Sequence, residues 1–243
     1  MAIDTLYLHY LRDAIARRRA EGGGQRLRGL LLAYPDLLVP RAALAQIVGE
    51  EALVGVPQRS DAPATWEYHG LRGVADPMFE SLALFERLGV DPVVVDAARL
   101  RGMERVVDLN YPLPADLARA FDLVVDTGTC EHCFNVAQAF VNSCEALAAG
   151  GILVHAAPLT RINHGFWSFN PTVYPDFFED NGFDLLLLTG VTGNIVQGFR
   201  PFQVDPFARI EAPPGAALYV IARRREVLAL KWPVQRKYRH MLK

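Results

Sequence analysis

Residues 121–135 read FDLVVDTGTCEHCFN, and this stretch decides the fold. An apolar run ending in an acid is followed by Thr-Gly-Thr. Asn135 then precedes a helical pattern, with Gln138 at the spacing of a capping box. The apolar residues of that pattern recur at helical spacing: Ala137, Phe140, Val141, Cys144 and Leu147. The stretch therefore predicts a strand, a loop and a helix, which is the repeating unit of a parallel sheet.

Further apolar runs extend this unit along the chain. They lie within residues 26–40, 91–96, 104–110, 152–158, 183–191 and 216–224. Short, fully apolar strands that alternate with helices are typical of a parallel sheet covered on both faces. No helical pattern separates the last two runs, which predicts an antiparallel pair at one edge. We therefore expect an α/β fold with a doubly wound, mostly parallel, seven-stranded sheet (Rossmann-like) and an antiparallel edge strand.

The two ends of the chain have compositions of their own. Residues 5–20 form an amphipathic helical pattern, so residues 1–24 are predicted to be an N-terminal helical extension. Residues 225–243 are rich in lysine and arginine and predict a basic C-terminal tail. Neither an internal repeat nor a low-complexity tract divides the sequence, so residues 1–243 predict a single domain.

Two segments of the first half predict a loop and a helix. Residues 56–70 are polar and contain proline, which indicates a loop. Asp76 suits a helix cap, Pro77 suits the first helical position and Gly89 suits the exit. We therefore expect a helix from residue 77 to residue 88.

Composition excludes several function classes without indicating a chemistry. The chain has 243 residues, 51% of them hydrophobic, and a formal net charge of −2, so no overall field attracts nucleic acid. No stretch approaches the roughly 20 apolar residues of a membrane span. An early acid and a late arginine run are the reverse of a secretory signal. Three cysteines cannot all pair within one chain, which suits a reducing cytoplasm.

The Cys130-x-x-Cys133 pair raises the question of a metal or redox site. A structural zinc site usually needs four ligands, and the sequence has no second pair: Cys144 lies on an apolar helical stripe and His155 inside a strand. A redox pair normally opens a helix directly, whereas the cap at Asn135 follows both cysteines. We therefore predict no metal site, and interpret both cysteines as small, partly buried residues.

Polar residues follow four of the predicted strands at the point where each strand ends. They are Asp96, residues 108–110, residues 126–134 and residues 158–167. In open parallel sheets, ligands bind beyond the carboxyl ends of the strands, where the loops lead into helices. The sequence therefore predicts that these loops converge on one site.

The order of these segments also resembles a known family. VVVD (93–96), VVDLNYPLP (106–114), FDLVVDTGTCEHCFN (121–135), LAAGGILVHAAP (147–158) and HGFWSFNPTVYPDFFEDNGFD (164–184) follow one another as in class I S-adenosylmethionine-dependent methyltransferases. They resemble most a bacterial branch with a GTLEHVFN segment and a later HGF segment. The resemblance covers residues 90–185 well and the N-terminal third poorly.

The resemblance implies site residues by position. Asp96 would accept hydrogen bonds from the cofactor ribose, and Asp108 and Leu109 would frame the adenine. The methionine part of S-adenosylmethionine would pass the loop formed by Thr127, Gly128 and Thr129. The implied catalytic residues are His132, its competitor His164, and Glu131. Glu131 is equally well explained as a loop carboxylate that accepts hydrogen bonds from backbone amides. Phe166 and Trp167 would wall the substrate pocket.

The first turn of the sheet departs from the family pattern. The family has a glycine-rich turn after the first strand, where the backbone passes close to the cofactor. This chain has no glycine between Leu31 and Pro40. The resemblance implies a shortened turn in which Tyr34 and Asp36 contact the cofactor. Either this turn is a variant of the cofactor site or the site has been lost.

Two functions remain open on these residues. The first is an S-adenosylmethionine-dependent methyltransferase that O-methylates a small molecule or saccharide. The second is a non-catalytic binding or scaffold protein of the same fold in a glycan or natural-product pathway. We expect no specific nucleic-acid partner. For the basic tail, either an anionic partner binds it, or it is a solvated end with Trp232, Tyr238 and Met241 docked on the body.

Overall fold

A computed structural model of the chain describes residues 2–22, 24–195 and 198–242. The strands are β1 Ala2–Ile3, β2 Leu27–Leu32, β3 Asp36–Leu37, β4 Val90–Asp96, β5 Arg105–Val106, β6 Phe121–Asp126, β7 Leu147–Pro158, β8 Phe183–Asn194, β9 Gly198–Phe202 and β10 Ala217–Arg224. The helices are α1 Thr5–Glu21, α2 Arg41–Val48, α3 Glu50–Leu53, α4 Ala62–Tyr68, α5 Ser81–Arg87, α6 Val136–Glu145, α7 Val173–Asp180 and α8 Arg236–Arg239.

The main sheet confirms the predicted fold class. Its strand order is β5-β4-β2-β6-β7-β10-β8-β9, and the first five of these strands are parallel neighbours. Numbered along the chain, these five have the order 3-2-1-4-5 of doubly wound, Rossmann-like sheets. The chain therefore reverses direction across the sheet between β2 and β6. Ligands bind beside such a switch point in open α/β sheets.

Helices cover both faces of the sheet, as the apolar strands predict. Leu31 of β2 lies in the core cluster that contains buried residues of α1, α2 and α5. Its neighbours Leu30 and Leu32 point to the opposite face, where the core contains buried residues of α6 and α7. Successive side chains of a strand alternate between faces, so a strand that is apolar throughout needs cover on both.

The antiparallel end of the sheet is larger than predicted. β8 and β10 form the expected antiparallel pair, with Leu188 opposite Val220, but β10 lies between β7 and β8. An eighth strand, β9, pairs antiparallel with β8 and forms the edge. Its sequence, GFRPF, contains a glycine and a proline, and proline is tolerated only where a strand is an edge. This composition is why the sequence analysis missed it.

The segment from residue 56 to residue 80 differs from the predictions. Residues 62–68 form α4, where a loop was expected, because Trp66 is 1% exposed and packs with Leu38 and Met78. The next helix begins at Ser81, because the backbone of residue 79 bridges Gln58 and the Asp76 carbonyl accepts a hydrogen bond from the Trp66 indole. Tertiary packing therefore overrides the local capping pattern at residues 76 and 77.

α1 is built into the core. Its N-cap is Asp4, whose Oδ1 accepts a hydrogen bond from the Tyr7 amide at 2.9 Å. The Tyr7 hydroxyl donates to the Val154 carbonyl at 2.8 Å and lies 3.1 Å from the Asp126 carbonyl. The N-terminal helix is therefore held against the carboxyl ends of β6 and β7.

The basic tail is held by ion pairs rather than by its apolar residues. Arg236 and Arg239 pair with Glu179 and Asp180 at the end of α7. The three residues expected to dock are instead largely exposed, at 67%, 50% and 68%: Trp232, Tyr238 and Met241. Two arginines of the tail are therefore already paired with acidic residues at the end of α7. No helix in the described part of the chain is long and apolar enough to cross a membrane.

Candidate functional site

The loop after β6 is organised by the buried carboxylate of Asp126. Its Oδ1 accepts hydrogen bonds from the amides of Gly128 at 3.0 Å and Thr129 at 2.7 Å, and its Oδ2 lies 2.8 Å from His155 Nδ1. Burial opposes the charge of Asp126, but the interactions with His155 and the hydrogen bonds of the loop together outweigh it and lower the pKa of the carboxyl. On its other side His155 contacts the Tyr174 hydroxyl, at 3.1 Å. This network sets the course of the loop.

The three loop residues predicted to pass the cofactor have different surroundings. The Thr129 hydroxyl donates to the Leu32 carbonyl at 2.6 Å and ties the loop to the end of β2. The Thr127 hydroxyl is buried and has no hydrogen-bond partner among the described residues. Gly128 has a φ of 102°. A Cβ there would also lie 2.8 Å from Glu131 Oε1, so this position requires glycine.

The structure brings together the three residues predicted to be catalytic: Glu131, His132 and His164. Glu131 is 1% exposed, and its Oε1 lies 3.6 Å from His164 Nε2. The imidazole rings of the two histidines lie 5.3 Å apart, centroid to centroid. Burial and the nearby Asp126 charge raise the pKa of Glu131 to about 8. Burial lowers the pKa of both imidazoles, and for His164 the neighbouring His132 lowers it further.

The loop of residues 164–167 is fixed against the Glu131 backbone. The Glu131 carbonyl accepts hydrogen bonds from the amides of Phe166 at 2.9 Å and Trp167 at 3.3 Å. A Cβ on Gly165 would lie 2.8 Å from that carbonyl oxygen, so glycine permits this close approach. The contact explains how two segments 30 residues apart in sequence share one site.

Phe166 and Trp167, predicted to wall a substrate pocket, are not among the residues that line the cavity beside the two histidines. Both are largely exposed, and both rings contact Phe134, at centroid distances of 5.7 and 6.3 Å. Trp167 also lines a separate apolar groove between α6 and α7. The Trp167 indole donates a hydrogen bond to the Phe134 carbonyl at 3.0 Å, so this ring is held beside Phe134.

A cavity of about 570 Å³ lies at the ends of β6 and β7, and we call it the β6–β7 cavity. Five of the predicted site residues line it, together with polar residues that the sequence patterns did not single out. The predicted residues are Thr127, Gly128, Glu131, His132 and His164, and the additional polar ones are Asp4, Tyr68, His69, Arg161 and Tyr219. Asp4 is the N-cap of α1, and Tyr219 lies in β10. Tyr68 and His69 lie at the end of α4, and no local pattern marked these four as site residues. Arg161 lies in the predicted loop of residues 158–167 but was not among the predicted site residues. The Tyr219 hydroxyl donates to the Asp4 carboxylate.

A second cavity, of about 360 Å³, lies at the ends of β2 and β4, and we call it the β2–β4 cavity. Three residues predicted to bind cofactor line it: Tyr34, Asp36 and Asp96. The half-buried Asp96 carboxylate is not paired with any side chain that the structure describes. Tyr68 lines both cavities, so they are neighbours on the carboxyl edge of the sheet.

The turn after β2 is tight although it has no glycine. Ala33 has a φ of 63°, in the left-handed region that glycine normally occupies. The Tyr34 hydroxyl donates to Glu80, and the Arg101 guanidinium lies 4.3 Å from the centre of the Tyr34 ring. Burial and the Glu80 carboxylate raise the pKa of Tyr34. Tyr34 is therefore a fixed wall of the β2–β4 cavity.

Asp36, predicted to contact the cofactor, lines the β2–β4 cavity and is also bound by three side chains of the protein. Its Oδ1 accepts from Arg59 at 2.5 Å and from Arg101 at 2.9 Å, and its Oδ2 lies 2.9 Å from His69 Nε2. Burial alone would raise its pKa, but the hydrogen bonds from His69 and Arg59 lower it. With both oxygens engaged, Asp36 joins β3 to α4 and to the loop after β4.

Asp108 and Leu109 lie outside the residues that line the two cavities. The Asp108 carboxylate accepts from the backbone and side-chain nitrogens of Asn110, at 2.9 and 2.7 Å. Leu109 is buried in the core, and its carbonyl accepts from Asn142 of α6. Their observed contacts stabilise the turn after β5, whereas the predicted contact was with an adenine.

The cysteines are free, and Cys130 and Cys144 are buried. Burial raises the pKa of the Cys133 thiol to about 11 and that of Cys144 to about 12. Thiols with raised pKa values are poor nucleophiles at neutral pH. These environments agree with the interpretation of the cysteines as packing residues.

Comparisons with known proteins give only distant matches. No family model matches the chain, and no curated protein matches it in sequence. Among solved structures, the N-methyltransferase NodS from Bradyrhizobium japonicum WM9, in complex with S-adenosyl-L-homocysteine, is 14% identical over 89% of this chain and 87% of its own, with a TM-score of 0.46. TehB from Haemophilus influenzae is 11% identical over 86% of this chain and 61% of its own, with a TM-score of 0.39. Similarities this distant do not assign an activity.

Proposed function

We propose that the protein is an S-adenosylmethionine-dependent methyltransferase that methylates a hydroxyl group of a small molecule or saccharide. The main support is the position of the two cavities. The β2–β4 and β6–β7 cavities lie on either side of the switch point between β2 and β6, at the carboxyl ends of the strands. This is where open α/β sheets bind their ligands. Two adjoining cavities suit a cofactor and an acceptor.

The β2–β4 cavity has groups that fit the nucleoside of the cofactor. Asp96 offers an unpaired carboxylate at the end of β4, where it would accept hydrogen bonds from the ribose hydroxyls. The Tyr34 ring supplies an apolar wall. The Thr127 hydroxyl, which has no partner among the described residues, would hydrogen-bond the methionine part from the adjoining loop. The volume of about 360 Å³ lies within the range of small-molecule sites.

The β6–β7 cavity fits a hydroxyl-bearing acceptor. Its lining combines imidazole, guanidinium, phenol and carboxyl groups, which can hydrogen-bond a polar molecule. Bound S-adenosylmethionine supplies an activated methyl group, whose transfer to an oxygen leaves S-adenosylhomocysteine and releases one proton from the hydroxyl. His132 and His164 both line the cavity, and a neutral imidazole accepts a proton at physiological pH.

Calorimetric titration with S-adenosylhomocysteine tests this proposal. We expect binding to the wild-type protein, and binding about 10- to 100-fold weaker to Asp96→Ala, because hydrogen bonds to a charged group contribute roughly 1.5–3 kcal/mol. The matched control is Asp91→Asn at the opposite end of β4. Asp91 forms only an exposed pair with Arg26, so this variant should bind like the wild type.

The competing scaffold function makes a different prediction. A protein of this fold that has lost its cofactor site would not bind S-adenosylhomocysteine at millimolar concentration. That result, or equal binding by wild type and Asp96→Ala, would contradict the proposed function.

A further inference from the structure

Glu131, His132 and His164 also have the arrangement of metal ligands. One ligand atom from each residue lies within 4.8 Å of those from the other two. One other group among the described residues has this spacing: Asp126, Cys130 and His155. In that group every residue is fully buried, and Asp126 and His155 already hydrogen-bond each other. The Glu131 group differs because its histidines are exposed on the β6–β7 cavity.

An independent observation points to a missing partner at this site. Glu131 Oε2 is buried and has no hydrogen-bond partner among the described residues, in a side chain that is 1% exposed. A buried polar atom without a hydrogen-bond partner is unfavourable, because it has lost its contact with water and gained nothing in exchange. The other oxygen, Oε1, lies 3.6 Å from His164 Nε2, which is beyond the range of a good hydrogen bond. A cation between these groups would satisfy the carboxylate.

The surrounding backbone holds the three residues in place without using their ligand atoms. The Glu131 carbonyl binds the amides of Phe166 and Trp167, which fixes the loop that carries His164. Gly128 and Gly165 leave the space that the Glu131 side chain occupies. Preorganised ligands with free donor atoms are what a metal site requires.

The chemical types of the three ligands indicate which kind of metal ion the site would bind. Two imidazoles and one carboxylate form the ligand set of catalytic zinc sites with an open fourth position, and also that of non-haem iron sites. Magnesium and calcium prefer sites made of oxygen ligands alone. We infer that Glu131, His132 and His164 bind one divalent transition-metal ion, with Zn²⁺ the best match, and that its open position faces the β6–β7 cavity.

The ion would act on the acceptor, a consequence that rests on the proposed function. A hydroxyl oxygen bound at the open position would lose its proton more readily, because a divalent cation stabilises the alkoxide. The O–H bond breaks, its electron pair stays on the oxygen, and the proton leaves to solvent water. That oxygen would then form the bond to the methyl carbon as the sulfur–methyl bond of S-adenosylmethionine breaks, and S-adenosylhomocysteine would leave with the electron pair on sulfur. With the ion bound, the two imidazoles serve as ligands, and the cation replaces a free base.

Metal titration of the full chain tests the site without cofactor or acceptor. Protein treated with a chelator and dialysed is titrated with Zn²⁺ by calorimetry and with Co²⁺ by absorbance. We expect one ion per chain, and binding at least about 100-fold weaker to Glu131→Gln and His164→Ala, because each loses one of three ligands. The control is His240→Ala, which removes an exposed imidazole outside the cluster and should bind like the wild type.

Three outcomes would overturn the inference. They are an absence of binding, equal binding by wild type and His164→Ala, and a thiolate-to-cobalt absorption band, which would place the ion on the cysteines. His164 is exposed, so His164→Ala keeps the test valid even where Glu131→Gln fails to fold. S-adenosylhomocysteine binding by metal-free protein is measured separately. Cofactor binding without metal binding would contradict the metal site alone. Metal binding without S-adenosylhomocysteine binding would contradict the proposed function alone.

Discussion

Asp126→Ala is expected to lower the free energy of unfolding by about 3–5 kcal/mol, because each buried hydrogen-bonding group left without its partner costs about 1–3 kcal/mol. The Asp126 carboxylate is fully buried and contacts His155 and the amides of Gly128 and Thr129. Its removal leaves a buried imidazole without its acidic partner and two amides without an acceptor. Urea unfolding at neutral pH, followed by circular dichroism, measures the effect.

One further variant separates the loss of the charge from the loss of the hydrogen-bond acceptor, and a second serves as a surface control. Asp126→Asn keeps an acceptor for the two amides while removing the charge, so we expect an intermediate loss. Asp116→Ala removes an exposed partner of Arg105 and should leave the stability close to that of the wild type. A loss below about 1 kcal/mol for Asp126→Ala would show that the buried network does not hold the β6 loop.

Asp36→Ala is expected to cost about 3 kcal/mol at neutral pH, near the lower end of the range for broken buried pairs. Asp36 is 7% exposed and is bound by Arg59, His69 and Arg101. Arg59 keeps Asp61 as a partner after the change, which limits the loss. The same unfolding measurement applies. Asp61→Ala is the matched control, because Asp61 is exposed and its pair should contribute at most about 1 kcal/mol.

The effect of Asp36 should depend on pH with a defined sign. The folded-state pKa of Asp36 lies below its ordinary value of 3.8, so the folded state favours the charged form. The stabilisation is fully present above the unfolded-state pKa and is lost as pH falls through the folded-state pKa. The stability difference between wild type and Asp36→Ala should therefore stay constant from about pH 7 to pH 5 and shrink below about pH 4. A difference that grows on acidification would contradict the assigned ion pairs.

The sheet was predictable from the sequence because its strands are apolar throughout. Residues 121–126 and 152–158 needed burial on both faces, and this requirement alone indicates a parallel sheet covered by helices. The edge strand at residues 198–202 was not predictable, since its glycine and proline weaken the strand pattern. The helix at residues 62–68 was missed because its stability comes from the tertiary contacts of Trp66.

The site was predictable only in part, because several of its residues are brought together by contacts between distant parts of the sequence. The loops after consecutive parallel strands meet at one edge, so Asp96, Thr127 and Glu131 could be placed there from strand ends alone. Two cavities rather than one receive these loops, and Tyr68 of α4 lines both of them. The role of Asp36 was also hidden, since its partners Arg59 and Arg101 lie 23 and 65 residues away.

The pairing of Glu131 with His164 shows what sequence spacing cannot reveal. The sequence pattern placed both residues on loops of the same edge. It gave no sign that Gly165 would let the second loop contact the Glu131 carbonyl. That contact turns two separate loops into one cluster of potential ligands. Phe166 and Trp167 of the same loop remain largely exposed, and their predicted role as a substrate wall stays a prediction.

A crystal structure with S-adenosylhomocysteine tests the central claim most directly. The claim is that the carboxyl edge of β2, β4 and β6 binds the adenosyl cofactor. We predict density for one ligand, with its ribose hydroxyls on the Asp96 carboxylate and its homocysteine end beside Thr127 and Gly128. Saturated crystals with an empty β2–β4 cavity, or a ligand bound away from Asp96, would contradict it.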